Sequence, residues 1–365
     1  MTELSQQLIQ KTIQQSIKPN RALSGFHSLV TALLTFAIFS MADSVCAATP
    51  PGQDTVISAV GVDSKDVKRF LMGEILSYST IEPTDKALSN GIIMFVKASP
   101  SRLVDAIRRG SLLARDPDVL AYGQIPLGAG IEAFKRFTYS AGQADEAENL
   151  LNVEAGAEFN LSHQEIASFQ ALAKGLDAKR TDAAAKAVTK QYRSILLKRV
   201  QAYQKSGLSG IAPYARGDGK VTDAGTELRI FTQQNKLLKL FDPALQNALL
   251  KYPTQLPPET TSRFLWLNRR VQNRPTAILN HRVIHTFNDI AVIVQNEFYA
   301  GHSFNAGQLV IGSVPYQDGT LVVYTHRSSS DQVAGIGQSL KHSIGRESLR
   351  KEMIKRFQRL KSSLS

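Results

Sequence analysis

Cysteine is nearly missing from this chain: of 365 residues, one, Cys46, carries a thiol. One thiol cannot make an intramolecular disulfide framework, and cysteine metal sites and thiol catalysis drop out as well if Cys46 leaves with an N-terminal leader. Acidic residues are also in deficit, 31 against 43 Lys plus Arg, which leaves a net charge of +12. No apolar run reaches the roughly 20 residues that a membrane-spanning helix needs. What is plentiful is ordinary core material: 43% of residues are hydrophobic, which excludes intrinsic disorder as a description of the whole chain.

The longest apolar stretch, Leu29 to Met41, sits in a leader of unusual composition. Lys11, Lys18 and Arg21 precede it, and Ser44-Val45-Cys46-Ala47-Ala48 follows it, which is the three-part layout of a secretory signal peptide. Cleavage is expected after residue 47 or 48, and it would remove the lone cysteine. An uncleaved anchor is the competing reading, but thirteen apolar-rich residues are short for one. Export to a periplasmic or extracellular space is therefore expected. Cys46 follows Asp43-Ser44-Val45 rather than a leucine-rich lipidation signal.

Behind the leader, residues 49–90 read as an extended start and one amphipathic helix, with Val67, Phe70, Leu71, Ile75 and Tyr78 at helical spacings. Residues 91–110 read as a buried strand, Ile92 to Val96, and a helix opened by Ser99-Pro100. Residues 111–225 read as a helical insertion. Ser162 and Glu165 form a capping box there, and a helix from Thr181 carries Val188, Tyr192, Ile195, Leu196 and Tyr203 on its inner stripe. That insertion ends in a glycine-rich stretch, 207–225, read as a linker or mobile loop. Its Arg216-Gly217-Asp218 tripeptide and its aspartates lack the context of an adhesion motif or a calcium loop.

Residues 226–365 change period. Five β-rich runs, Phe264 to Val271, Thr276 to Phe287, Ile290 to Tyr299, Gln308 to Val314 and Thr320 to Arg327, are separated by turn residues. Asn288-Asp289 and Asp318-Gly319 read as two-residue hairpin loops, and the second would place Ser313 opposite Tyr324. A final helix carries Leu340, Ile344, Leu349, Met353, Ile354, Phe357 and Leu360 as one apolar stripe. The fold class that follows is α+β: an antiparallel meander packed on a long C-terminal helix, with a helical insertion.

This order of elements resembles the START-like helix-grip proteins, the polyketide cyclase and lipid-transfer group. The resemblance is carried by Ile92 to Arg109, the meander from Phe264 to Arg327 and the closing helix from Gln338 to Lys361. It covers about 150 residues and departs from the family by the long helical insertion and by five later strands where six are usual. It implies a curved sheet wrapped on a C-terminal helix around an apolar cavity, and no particular ligand.

No catalytic signature accompanies it. Gly301-His302-Ser303-Phe304-Asn305 opens like a hydrolase elbow, yet the closing glycine is replaced by Asn305 and the context is strand to strand. His281 and His285 share a strand face but lie about 13 Å apart, too far to share one metal. Gly335-Ile336-Gly337, at the mouth of the last helix, reads as a flexible entry rather than a phosphate cradle. Nucleic acid is a poor partner, because the basic residues are spread over several helices and the aromatics occupy apolar positions.

Two functional classes remain. One is a noncatalytic carrier of a lipid or other apolar small molecule, with Phe298, Tyr299, Tyr324 and Phe357 lining the cavity and no cofactor or metal. The other is an envelope hydrolase or cyclase using His281, Glu297, Ser303 and His326 in that cavity. The basic C-terminal helix also permits attachment to an anionic membrane surface, as in a peripheral structural protein.

Overall fold

The computed structural model describes residues 51–139, 143–176 and 181–364, so the leader expected at residues 1–48 lies outside the described residues. Two short helices come first, α1 (Gln53–Ala59) and α2 (Ser64–Leu71). The helix expected to run on to Tyr78 stops at Leu71, because Gly73 adopts φ +98°, and Leu76–Tyr78 becomes an edge strand, β1. Strand β2 (Ala87–Val96) and helix α3 (Pro100–Arg108) follow, the latter with Ser99 accepting from the Arg102 amide and proline in its first turn.

The segment read as a helical insertion also contributes a strand to the main sheet, β3 (Val119–Ile125), whose mostly half-exposed residues lack a clear alternation. It also holds α4 (Ala144–Leu151), α5 (His163–Lys174) and α6 (Thr181–Ser206). The Ser162–Glu165 capping box is formed at α5, and Val188, Tyr192, Ile195, Leu196 and Tyr203 of α6 are all buried. The glycine-rich stretch is a packed connection. Gly207, at φ +58°, sits so close to the Tyr252 carbonyl that a Cβ would lie 1.9 Å from its oxygen. Tyr214–Ala215 pairs with Val221–Thr222, and the Arg216 guanidinium is held by Asp331, Asn160, Asn305 and the Gly156 carbonyl. Helices α7 (Ala224–Gln233), α8 (Lys236–Phe241) and α9 (Pro243–Leu250) then lead to the meander.

The meander is β4 (Thr260–Val271), β5 (Arg274–Phe287), β6 (Ile290–Ala300), β7 (Ala306–Tyr316) and β8 (Gly319–Ser329), and α10 (Gln338–Leu364) closes the chain. These eight strands form one antiparallel sheet in the order β1-β2-β8-β7-β6-β5-β4-β3, apart from the short pair at Tyr214–Ala215 and Val221–Thr222. The early strand joins the meander through β8, with Ile93 opposite Val323. Asn288 and Asp289 both take positive φ, which matches the right-handed twist of a hairpin. The last hairpin turns one residue earlier than expected. Gly319 pairs with Tyr316, so the loop is Gln317-Asp318, with Gln317 at φ +49°, and Ser313 faces Val322 instead of Tyr324.

Each sheet face has its own cover. On one, Trp266, Leu279, Phe298 and Tyr299 pack with α6, and Val283, Val292, Val310 and Val323 pack with residues of α1, α2, α8 and α9. On the other, Ile92, Met94, Ile293, Ile311, Val322 and Tyr324 pack with Leu103, Val104 and Ile107 of α3 and with Met353, Phe357, Leu360 and Leu364 of α10. Burying each side chain of this size contributes roughly 1.5–3 kcal/mol before entropy. The α10 stripe differs from expectation in its first half: His342 and Gly345 face inward, while Leu340 and Ile344 are 67% and 63% exposed. The ionic contacts of His342 and Arg346 with Glu82 fix that rotation.

Candidate functional site

Strand alternation places polar side chains where the α10-covered face is otherwise apolar. On β5 and β6, Arg282 stands opposite Gln295 and Asn280 opposite Glu297. Glu297 in turn faces Gly307 of β7, where a Cβ would lie 2.6 Å from its carboxylate oxygen, so glycine makes the room that the carboxylate occupies. His326 and Tyr324 of β8 follow on the same face, opposite Leu309 and Ile311. Arg282 donates to Gln295 Oε1 from Nε and Nη2, at 3.1 and 2.7 Å, and Gln295 Nε2 donates to Glu297 at 3.4 Å.

Burial sets the electrostatics of this belt. It raises the Glu297 carboxyl pKa, against the pull of Arg269, the Gln295 hydrogen bond and Arg282. It pushes His326 down to about 4, helped by Arg269, and Arg282 down to about 10, helped by Arg263. Three side chains here carry buried polar atoms that meet no partner among the described residues: both amide atoms of Asn280, the Tyr324 hydroxyl and His326 Nδ1. Asn280 is 1% exposed and Tyr324 is fully buried. Orphans of this kind cost about 1–3 kcal/mol each in an apolar interior.

Beside the belt, at the C-terminal end of α3, lies a slot of about 40 Å³. Arg108, Arg109, Arg263 and Arg282 line it, with Leu113, Tyr122, Leu265 and Ile284 among its walls and no Asp or Glu. Arg263 and Arg282 donate to the Arg108 and Ile107 carbonyls, at 3.3 and 3.2 Å, where the helix end is negative. A wider, open hollow of about 340 Å³ lies against Arg115, Lys355 and Arg359.

The residues singled out from the sequence do not all meet. Phe298 and Tyr299 belong to the α6-covered face, whereas Tyr324 and Phe357 touch on the α10-covered face, with ring centroids 4.5 Å apart. The four are therefore split between two cores. A β-bulge explains why neighbours Phe298 and Tyr299 share a core: Leu279 pairs with Tyr299 and Asn280 with Glu297, leaving Phe298 as the extra residue.

Glu297 and His326 share the α10 face, but His281 lies on the other. There His281 stacks on Phe264 and contacts the hydroxyls of Ser262 and Tyr203, and burial pushes it down to about 3. His285, on that same face, contacts Asp242 instead, so the two histidines share no ligand. Among the described residues, no group of three His, Cys, Asp or Glu could hold a metal ion.

Ser303 stands apart, in the β6–β7 connection at φ +69°. His302 Nε2 lies 3.2 Å from the Pro275 carbonyl, which only an N–H can satisfy, so Nδ1 accepts from the Ser303 hydroxyl at 2.7 Å. Glu146 of α4 lies 3.5 Å from His302 Nε2. The order serine, histidine, carboxylate is present, but its chemistry is weak. Burial, aided by Arg274, pushes His302 down to about 4, and Glu146 is clamped by Arg274 at 3.1 to 3.3 Å. The array ties the connection to α4.

Sequence reading passed over His302, Glu146 and the slot arginines. For Arg263 and Arg282 a signal existed: each sits in the inward phase of a buried strand, where an arginine is out of place. Together these features define an α+β protein with a central antiparallel sheet covered on both faces, a polar belt on the α10-covered face and an arginine-lined slot at the end of α3. No family model matches the chain, and neither does any curated protein or solved structure.

Proposed function

We propose that the chain is an exported, noncatalytic binding protein that holds a lipid or similar amphipathic molecule between the sheet and α10. The observation that carries this reading is the set of orphaned polar atoms on Asn280, Tyr324 and His326; Tyr324 shares a core with Ile293, Ile311 and Phe357, and Asn280 and His326 stand opposite Leu265 and Leu309. A ligand with an apolar body and a hydrogen-bonding group would match both kinds of surface. A preformed polar set within an apolar surround is the usual form of a small-molecule site. The test is native mass spectrometry of the mature protein purified from envelope fractions, with solvent extraction of whatever it carries. An adduct of lipid-like mass that Asn280→Leu loses would support the reading; protein that is ligand-free and takes up no added phospholipid or fatty acid would sink it. N-terminal sequencing of the same sample tests export, which requires a start at residue 48 or 49.

A further inference from the structure

We infer that the slot at the end of α3 is an anion site, built to take a carboxylate or a phosphate group. Four arginines line one slot, and no acidic residue does. Gathering like charges is costly unless a counter-charge arrives. Among the described residues, the carboxylates linked to these arginines stand outside the slot. Asp105 reaches Arg108 only at 3.9 Å, with both side chains partly in solvent, and Glu297 is joined to Arg282 only through the amide of Gln295.

The donors are held in place before any ligand comes. Arg263 and Arg282 are anchored on the last carbonyls of α3, and Arg282 is braced a second time by Gln295. Guanidinium forks fixed in this way suit two-point contact with carboxylate or phosphate oxygens. Size narrows the class further. A water needs about 10–15 Å³ by this measure, so 40 Å³ admits a compact anionic group and excludes an acyl chain. Any tail would have to lie outside the slot.

This site does not depend on the ligand proposed beneath α10, and its test is separate. Full-length mature protein is titrated calorimetrically, at constant ionic strength, with inorganic phosphate, octanoate, octyl phosphate and 1-octanol. Saturable binding of phosphate or octanoate, with none of octanol, is the expected result. Arg109→Ala, at an exposed position that should fold normally, and Arg263→Lys, which keeps charge but loses the fork, should each weaken it, about tenfold for a lost charge-assisted contact. Lys97→Ala, on a solvent-exposed ion pair with Asp318, should leave it unchanged. Octyl phosphate binding far more tightly than phosphate would identify the anion as an amphiphile's head group; equal binding would identify a small soluble anion. Absence of saturable phosphate and carboxylate binding, or binding indifferent to both arginine substitutions, would overturn the inference. Phosphate binding by a protein that carries no lipid would keep the anion site and remove only the earlier reading.

Discussion

Tyr203 of α6 lies flat on Phe298 of β6, with ring centroids 4.2 Å apart and planes 8° from parallel. Phe298 faces α6 in step with Val292 and Val294 of its own strand, and Phe264 and His281 meet the same tyrosine edge-on. Phe298→Ala should therefore destabilise the fold by about 3–5 kcal/mol. Chemical denaturation of the folded variant measures it, and a loss under about 1 kcal/mol would mean that this stack does not hold the core.

Acid sensitivity should come from buried histidines. His281, His302 and His326 are pushed down to about 3, 4 and 4, from an ordinary 6.5. Their folded pKa values lie below the unfolded ones, so unfolding takes up protons, and stability falls as pH drops from about 6.5 toward 4. Each contributes a slope of up to about 1.4 kcal/mol per pH unit in that window. Glu146 and Glu297, raised by burial, pull in the opposite direction. Denaturation midpoints between pH 4 and 7 should show the fall, and His281→Gln should flatten it. Imidazole NMR signals that titrate near 6.5 in the folded protein would contradict this.

Tyr324→Phe removes a buried hydroxyl that has no partner among the described residues. In protein stripped of ligand the change should be neutral or stabilising by about 1 kcal/mol, because an unpaired buried group is a cost. In protein that carries a ligand, retention should fall. A destabilised stripped variant would show that the hydroxyl is satisfied in some other way.

For α10, Phe357→Ala should cost about 3–5 kcal/mol, and truncation before Gln338 should abolish soluble folding, since Met353, Phe357, Leu360 and Leu364 are core residues. Leu340→Ser and Ile344→Ser should each change stability by less than about 0.5 kcal/mol. Thermal melts separate the two groups. An intact transition after truncation, with liposome binding lost, would instead mean that α10 serves membrane attachment.

Ser303 should remain unlabelled by a fluorophosphonate in folded protein. Its histidine is too weakly basic, and the Glu146 carboxylate is taken by Arg274. Stoichiometric modification of Ser303 that His302→Gln abolishes would reverse this view and favour the hydrolase alternative.

Where local chemistry decided the structure, the sequence was legible. Ser99-Pro100, the Ser162–Glu165 box, the α6 stripe and the Asn288-Asp289 turn are all formed. What escaped was set by tertiary contact. The run on from Leu71 read as helix because β1 shows no periodicity of its own and exists only by pairing with β2. The α10 stripe was misphased at Leu340 and Ile344 because ion pairs to Glu82 fix the rotation of that end. At the site, Glu297 and His326 were named, but Asn280 and the slot arginines become visible only once registers are known. Tyr299 falls on the same face as its neighbour Phe298 because a bulge changes the alternation at a place no pattern marks.

The pairing of β2 with β8 also bears on the order of synthesis. Ile93 emerges early and Val323 close to the end, so through most of translation β2 has only the three residues of β1 available among its neighbours in the finished sheet. Until β8 arrives, its apolar side chains and one hydrogen-bonding edge have no lasting partner, and non-local closure of this kind is slow. A nascent chain in that condition would engage chaperones or a translocation machinery before it folds.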